Sequence, residues 1–273
     1  MKAFGFKGDN SIHDRNENRS GQRANQLALA TAVALAGIFL SFHRGGLHFA
    51  VTLGITTAFA AIGRIARGVN TSGALAGAAI AFILAGRDAR AFVVLLVVFV
   101  VTLGATRLGR SRKQQLHVAE SESGRSASQV MANLSVTGLL LALPDFHASY
   151  LLALAALAEV AADTASSEIG SAFPGKTVLI TTGQDVTPGT DGGISFSGTL
   201  AAALAAVTVA GVAGILGLAS APQTAIIAGA GVFGMLADSI LGAVVERRGY
   251  LNNDLVNLLG TAAAAGLAAL VGR

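Results

Sequence analysis

The chain contains the stretch AFVVLLVVFVVTLGA at residues 91–105, in which Thr102 is the only polar side chain and none is charged. A helix that is apolar on every side belongs in a protein core or in a membrane. Crossing a bilayer takes about 20 predominantly apolar residues. Together with its flanks, the stretch therefore predicts a membrane-spanning helix over residues 90–108.

Comparable apolar runs recur along the chain. They predict spans at 24–42, 47–66, 71–86, 90–108, 129–143, 147–172, 194–219, 223–246 and 254–272. The third and fifth are short, which indicates tilted, re-entrant or broken helices that protein buries. The predicted fold class is all-α: one polytopic transmembrane helical bundle over 24–273, with about nine spans. Residues 1–23 are polar, carry both signs of charge and predict a disordered cytoplasmic tail.

The composition supports a membrane protein and excludes other classes. Of the 273 residues, 53% are hydrophobic and 12% are charged, whereas a soluble domain carries about 25% charged residues. The 34 glycines suit close helix packing in lipid. The absence of Cys excludes thiol chemistry. We interpret the net charge of +4 as a sign of topology and not of nucleic-acid binding.

The Lys and Arg residues predict the orientation in the membrane. With a cytoplasmic N-terminus, the tail and segments 64–70, 107–128, 173–193 and 247–253 face the cytoplasm. They hold 15 Lys and Arg residues, against four on the other side. Cytoplasmic loops are enriched in positive charge, so we expect this orientation, in a bacterial inner membrane. The basic residues of 107–128 either anchor the protein on anionic lipid or gate access of anionic substrates.

Three carboxylates interrupt the apolar runs: Glu159, Asp163 and Asp238. A charge at the centre of a transmembrane helix costs roughly 2.5–3.5 kcal/mol on insertion scales, so such residues are functional by default. Glu159 and Asp163 are four residues apart and share a helix face. Asp238 has Gly234 and Gly242 four residues to either side, which lets another backbone approach closely. We expect Asp163 and Asp238 to meet near the cytoplasmic ends of their helices.

The last span adds a polar stripe of Asn253, Asn257 and Thr261 at steps of four. Small residues around buried carboxylates suit a metal or phosphate site between facing helices. A structural hydrogen-bond network between helices is the alternative for each of these residues. The His residues have no metal-ligand spacing, so a zinc site is not indicated.

A Gly- and Thr-rich loop, GKTVLITTGQDVTPGTDGGIS, occupies residues 175–195. Backbone N–H groups in such loops cradle phosphate, and a helix beginning near Ile194 would add positive partial charge. An ordinary Gly-rich turn is the alternative. The loop residues predicted to bind a nucleotide are Thr181, Thr182, Gly189, Thr190, Gly192, Gly193 and Ser195.

Residues 170–177, GSAFPGKT, match the P-loop pattern G-x-x-x-x-G-K-[ST]. A P-loop lies between a strand and a helix. Here a polar-striped helix is predicted before the motif, and a Val-Leu-Ile run that favours a strand comes after it. We therefore reject a true P-loop and expect Gly170→Ala to be mild. Lys176 can still meet a phosphate as a point charge.

The polar segments form an ordered series: ADTASSEIG at 162–170, LITT at 179–182, PGTDGGIS at 188–195 with Gly198-Thr199, ADSILGA at 237–243 and LNNDLVN at 251–257. The series resembles the membrane family long called domain of unknown function 92, over roughly residues 50–270. That family includes transmembrane protein 19 and the phytyl-phosphate kinases of chloroplasts and cyanobacteria. QVMAN at 129–133 looks like its Asn-bearing segment, although Leu134-Ser135 stand where glycines are expected.

The resemblance implies a kinase that transfers a phosphoryl group from CTP, or less readily ATP, to a prenyl monophosphate such as phytyl phosphate. Phosphoryl transfer needs mainly positioning and charge neutralisation. Mg²⁺ prefers one or two carboxylates plus phosphates and water. We therefore predict Asp163, Asp191 and Asp238 as catalytic metal ligands, Lys176 and Arg107 as phosphate-neutralising cations, and Asn253 and Asn257 as further binding residues.

Two other functions stay open. A polyprenol or phytol kinase would phosphorylate an alcohol, which wants a general base, and Glu159 or Glu168 is the candidate. A non-enzymatic transporter also suits intramembrane carboxylates and broken helices, but the sequence shows no two related halves. In either kinase the prenyl tail would lie between helices or in lipid.

Overall fold

The computed structural model describes residues 45–143, 149–173 and 175–272, and most of them are helical. Two short antiparallel strands and a π-helical turn accompany nine α-helices in these ranges. In chain order the elements are α1 (Gly46–Ile65), α2 (Thr71–Arg87), α3 (Ala89–Arg107), α4 (Arg110–Gln115), α5 (Ala127–Ala142), α6 (Ser149–Ala172), β1 (Thr177–Leu179), β2 (Gly193–Ser195), α7 (Phe196–Ile215), α8 (Ala221–Leu241), the π turn (Gly242–Glu246) and α9 (Asn253–Val271). The predicted all-α class is confirmed.

Polar side chains fix where several helices begin. At the start of α2, the Asn70 side chain accepts a hydrogen bond from the backbone amide three residues on, at 2.9 Å. Ser126 and Gln129 form a capping box at the start of α5. Ser195 and Asn252 cap α7 and α9 in the same way as Asn70. These caps satisfy backbone amides that have no partner within the helix.

Helix α6 is the centre of the bundle. It packs against α3, α5, α7, α8 and α9. All residues from 151 to 162 are buried, and most of them are Ala or Leu. The small Ala side chains let neighbouring backbones come close. Because helices surround it, α6 can carry carboxylates inside the protein and away from lipid.

The predicted spans agree with the helices of the described ranges. Each of the eight predicted spans in those ranges matches a helix that starts within two residues of the prediction. Five described helices are long and apolar enough to cross a membrane: α1, α3, α7, α8 and α9. Helices α2 and α5 are shorter, and α6 carries three carboxylates. The predicted tail 1–23 and first span 24–42 lie outside the described residues.

Four loops meet at one end of the bundle. A backbone hydrogen bond of 3.1 Å joins the Arg125 amide to the Gly68 carbonyl. Gly189 abuts the loop after α4, and Gly192 abuts the π turn after α8. We call this the basic end and define it by the segments 66–70, 108–126, 175–195 and 242–252. They overlap the four segments 64–70, 107–128, 173–193 and 247–253, whose Lys and Arg residues predicted a common side of the membrane.

A hairpin organises the loop between α6 and α7. Thr177 pairs with Ser195, and Leu179 pairs with Gly193. The pairing agrees with the strand tendency of the Val-Leu-Ile run. The hairpin brings the Gly-rich segment 188–193 to the basic end of the bundle, where Gly192 packs on the π turn.

Candidate active site

A polar cavity of about 290 Å³ lies at the basic end, among α5, α6, α8, α9, the π turn and the loops. We call it the polar pocket. Five separate stretches of sequence contribute to its walls. The predicted site residues among them are Asp163, Asp191, Asp238, Gly189, Thr190, Gly192, Gly193, Ser195, Asn253 and Asn257. The structure thus brings together residues that lie up to 94 positions apart.

Carboxylates from two helices and one loop face the polar pocket. Asp163 comes from α6, Asp238 from α8 and Asp191 from the loop before β2. Glu246, which the sequence analysis missed, adds a further carboxylate from the π turn. Asp163, Asp191 and Glu246 all repel Asp238 electrostatically. Because like charges in one cavity disfavour one another, a cation bound among them would offset the repulsion.

Glycines let α9 approach α8 beside Asp238. A Cβ on Gly260 would lie 3.3 Å from Asp238 Oδ2 and 2.6 Å from Glu159 Oε1. Within the described residues, Asp238 Oδ2 and both Glu159 oxygens are buried and have no hydrogen-bond partner. A buried polar atom without a partner is costly. Asp238 borders the polar pocket, whereas Glu159 is not among the residues that line it.

The segment 188–193 presents backbone to the polar pocket. Gly189 and Gly192 have φ angles of +85° and +75°, which glycine adopts without the strain of a side chain. A Cβ on Gly192 would collide with Ala243 of the π turn. Turns of this kind expose backbone N–H groups that bind anions. The segment is therefore suited to phosphate.

Two helices begin at the polar pocket. The Ser195 side chain caps α7 by accepting a hydrogen bond from the Gly198 amide at 3.2 Å. Asn253 opens the first turn of α9. The N-terminus of a helix carries positive partial charge and favours phosphate groups. Both N-termini therefore offset the carboxylates of the same cavity.

Four predicted site residues lie outside the walls of the polar pocket: Arg107, Lys176, Thr181 and Thr182. Lys176 Nζ pairs with Asp185 at 3.0 Å, and the two side chains are 70% and 72% exposed. Thr181 and Thr182 are exposed in the turn that follows β1. The pairing of β1 with β2 leaves this turn beyond the walls. The structure therefore does not support the catalytic role predicted for Lys176 or nucleotide contacts by the two threonines.

Arg125 is the only Lys or Arg among the described residues that line the polar pocket. Its Nε lies 3.7 Å from Glu120 Oε2, and its Nη2 donates to Thr164 Oγ1 at 3.4 Å. The sequence analysis treated its loop as an anchor or a gate and did not single it out. Arg125 comes shortly before the QVMAN segment in the sequence, and Asn133 of that segment lines the same pocket. This nearness in sequence is the signal that could have identified Arg125.

Glu168 borders the polar pocket but is already paired. Lys113 Nζ lies 2.6 Å from Glu168 Oε2, and Thr106 Oγ1 donates to Oε1 at 2.9 Å. Lys113, only 1% exposed, also donates to the carbonyls of Ala105 and Thr106. This buried network joins α3, α4 and α6. It engages both oxygens of Glu168, the residue considered as a general base.

A family model described as integral membrane protein DUF92 matches residues 54–265. That range contains every residue that lines the polar pocket. The chain belongs to the DUF92 family. The resemblance seen in the ordered motifs is thereby confirmed, and the pocket of this DUF92 protein lies entirely within the family's matched region.

Three relatives show how widely similar DUF92 sequences occur. An uncharacterized membrane protein of Methanocaldococcus jannaschii is 35% identical over 171 residues, covering 62% of this chain and 71% of its own. Protein VTE6, chloroplastic, of Arabidopsis thaliana is 33% identical over 203 residues, covering 67% and 60%. An uncharacterized membrane protein of Synechocystis is 31% identical over 192 residues, covering 66% and 74%. No solved structure matches the chain.

The P-loop-like motif of this DUF92 protein is not a P-loop. Helix α6 includes its first three residues, and β1 begins at its last residue, Thr177, which reverses the strand–loop–helix order. The structure gives a reason for Gly170→Ala to have more than a mild effect. A Cβ on Gly170 would lie 2.9 Å from Ser195 Oγ, the atom that caps α7.

The polar pocket of the DUF92 protein fits Mg²⁺ held jointly with a substrate. Within the described ranges, no group of three or more His, Asp and Glu side chains is arranged to hold a metal ion. In phosphate-transfer sites, however, Mg²⁺ uses one or two carboxylates plus phosphate oxygens and waters. Asp163 and Asp238 supply that number from packed helices, and Asp238 Oδ2 has no other partner among the described residues.

Proposed function

We propose that this DUF92 protein is a membrane prenyl-phosphate kinase, which transfers the γ-phosphoryl group of CTP, or less readily ATP, to a prenyl monophosphate such as phytyl phosphate. The observation that carries the proposal is the polar pocket itself. There, Asp163 and Asp238 face the Gly-rich segment 188–193 at one end of a membrane bundle. Membership of a family that includes phytyl-phosphate kinases, as the sequence resemblance implies, supports the same reaction.

The reaction exchanges one phosphorus–oxygen bond for another. A phosphate oxygen of the acceptor bonds to the γ-phosphorus, and the bond from that phosphorus to the β–γ bridging oxygen breaks. CDP leaves with the bridging oxygen and its electron pair, and the lipid becomes a prenyl diphosphate. The acceptor is already ionised, so no proton has to be removed from it. Such a transfer depends mainly on positioning and charge neutralisation.

Each part of the polar pocket has a role in this scheme. Asp163 and Asp238, with Asp191 from the loop, would hold Mg²⁺, which offsets the negative charge of the donor phosphates. The backbone of segment 188–193 and the N-termini of α7 and α9 bind those phosphates. Arg125 binds the acceptor phosphate, because a guanidinium group matches phosphate in a bidentate manner. The donor is a cytoplasmic nucleotide, so the basic end faces the cytoplasm, in agreement with the Lys and Arg asymmetry.

The geometry favours a phosphate acceptor over an alcohol. An alcohol needs a general base. Glu168 is tied to Lys113 and Thr106, and Glu159 is not among the residues that line the polar pocket. Glu120 and Glu246 also line the pocket. Ser121 N and Gln129 Nε2 already donate to the two oxygens of Glu120, so Glu246 is the candidate base. An alcohol kinase would therefore depend on Glu246, which the proposed reaction does not use as a base.

The test is an acceptor panel with purified protein in lipid nanodiscs. Prenyl alcohols and prenyl monophosphates are each incubated with Mg²⁺ and CTP or ATP. We expect prenyl diphosphate from the monophosphates, with CTP as the better donor, and Glu246→Gln to retain most of that activity. Better turnover of alcohols, lost in Glu246→Gln, would replace the proposal by a polyprenol kinase. No phosphorylation of any acceptor, with solute flux in vesicles that Asp238→Asn abolishes, would replace it by a transporter.

A further inference from the structure

A second cavity lies beside the polar pocket and is larger, at about 530 Å³. Helices α1, α2, α3 and α5 form most of its walls. Its volume is within the range of about 300–1,000 Å³ that is usual for small-molecule sites. We call it the apolar cavity, because its lining is dominated by hydrophobic side chains such as Phe59, Leu95, Val98, Phe99, Leu103 and Leu134.

The two cavities share one wall. Glu120, Arg125, Gln129 and Asn133 line both of them. Gln129 Nε2 donates to Glu120 Oε2 at 3.3 Å, and Arg125 Nε lies 3.7 Å from the same oxygen. Both contacts are longer than ideal charged hydrogen bonds. A phosphate at this wall offers Arg125 a better partner than Glu120 does.

The apolar cavity is also cationic at one border. Arg67, Arg107 and Arg110 are among its lining residues, all at the basic end. Helices α1 and α3, which supply the aromatic side chains, are long and apolar enough to cross the membrane. Glu120 and Glu122 also line this border, but with Arg125 the arginines number four against these two carboxylates. The cavity therefore combines hydrocarbon-like walls with a rim of net positive charge. That combination suits an amphiphile that has an apolar tail and an anionic head.

We propose that the apolar cavity holds the hydrocarbon tail of the acceptor lipid, whose phosphate reaches the polar pocket through the wall of Glu120, Arg125, Gln129 and Asn133. The inference rests on the proposed function for the identity of the acceptor. What the inference adds to the proposed function is that the tail is bound between α1, α2, α3 and α5, and that this cavity selects acceptors by chain length. A tail left in the bilayer would show no such selection.

Gly77 provides a way to fill the apolar cavity. It lines the cavity, and the nearest atom to a Cβ placed there is Val130 Cγ1, at 4.0 Å. A larger side chain therefore has room to enter without an immediate clash. Gly104 on α3 is the matched control: it lies outside the walls, and nothing is within 4 Å of a Cβ placed there.

The first experiment compares Gly77→Leu and Gly104→Leu on monophosphates with tails of five and twenty carbons. Removing tail contacts costs on the order of tenfold per group in an apolar pocket. We expect Gly77→Leu to lower kcat/KM for the long acceptor by about tenfold or more, and to leave the short one unchanged. Gly104→Leu should match wild type on both. An equal loss on both acceptors, or on neither, overturns the tail site but not the kinase.

The second experiment needs no turnover. A twenty-carbon monophosphate with a photoreactive diazirine at the tail end is added to wild-type protein in nanodiscs, and labelled peptides are mapped by mass spectrometry. We expect label on α1 and α3 at residues such as Phe59 and Phe99, removed by excess unlabelled prenyl phosphate but not by phospholipid. Label there without kinase activity keeps the tail site and rejects the proposed function. Label on lipid-facing residues, or label displaced equally by phospholipid, rejects the tail site.

Discussion

Arg125 lines both cavities, and its surroundings differ from those of Lys176. Its partners, Glu120 and Thr164, hold it within the wall, whereas Lys176 and Asp185 form an exposed pair. Asp163 and Asp238 were predictable, because an ionisable side chain in an apolar run stands out. The roles of Arg125 and Lys176 were not predictable, because both residues lie in polar loops, where a charged side chain does not stand out.

Substitutions of Arg125 and Lys176 should therefore lower kcat/KM by very different amounts. Arg125→Gln removes the positive charge from the polar pocket, and we expect kcat/KM for the prenyl phosphate to fall about 100-fold, the scale of one electrostatic contact. Lys176→Gln breaks an exposed ion pair worth at most about 1 kcal/mol, so the fall should stay below about fivefold. Steady-state kinetics on both variants measures the difference. A larger loss in Lys176→Gln would return the predicted catalytic role to Lys176.

At the scale of elements, the helices were predicted well because apolar length and capping residues are local signals. The bounds of α3 and α9 differ from prediction by a single residue at each end. The β1–β2 hairpin and the π turn were not predicted as such, because their form depends on contacts between distant segments. Gly192, for example, is forced into contact with Ala243, 51 residues later. Glu246 was missed for the same reason.

Gly170→Ala tests how closely α6 and the start of α7 are packed. The new Cβ would push on Ser195 Oγ at 2.9 Å and disturb the cap of α7. Loss of a cap costs about 0.5–2 kcal/mol, so we expect lower thermal stability together with lower activity. Gly211→Ala on α7 has nothing within 4 Å of its Cβ and should be neutral or stabilising by up to about 1 kcal/mol. Unchanged stability in Gly170→Ala would contradict the packing described.

The buried pair of Lys113 and Glu168 fixes the short helix α4 to the bundle. Lys113→Met leaves Glu168 without its cation in a site where both are largely buried, and breaking such a pair costs about 3–5 kcal/mol. We expect a clear drop in the melting temperature in detergent. Lys176→Met, which breaks an exposed pair, is the control and should melt like wild type. Equal melting of the two variants would show that the buried network contributes little.

At the scale of the whole molecule, the loops that the Lys and Arg counts assign to one side of the membrane also lie at one end of the structure. The four loops of the basic end touch one another, and at the opposite end Arg90 Nη1 donates to the Leu216 carbonyl at 3.2 Å. The sequence predicted which loops share a side, because Lys and Arg counts depend only on topology. It did not predict that these loops close over one pocket, since that requires the path of each loop.

Introduced cysteines test which side of the membrane the basic end faces. The chain has no native Cys, and Ser123 and Gln184 are exposed at the basic end. We expect Ser123→Cys and Gln184→Cys to resist an impermeant thiol reagent in intact cells and to react after lysis. Ala221→Cys, exposed at the start of α8 near the opposite end, should react in intact cells. The reverse labelling pattern would show that the basic end faces the outside of the cell, and it would exclude a cytoplasmic nucleotide as the donor.

The most direct test of the kinase follows the γ-phosphoryl group itself. Purified protein with Mg²⁺, phytyl monophosphate and γ-labelled CTP should yield lipid diphosphate carrying the label, in a one-to-one ratio with CDP. Asp238→Asn keeps the shape of the side chain but removes a charge from the polar pocket, and the rate should fall about 100-fold or more, while Asp185→Asn at an exposed position should retain it. CDP formed without labelled lipid, or labelled lipid formed equally by Asp238→Asn, would contradict the account.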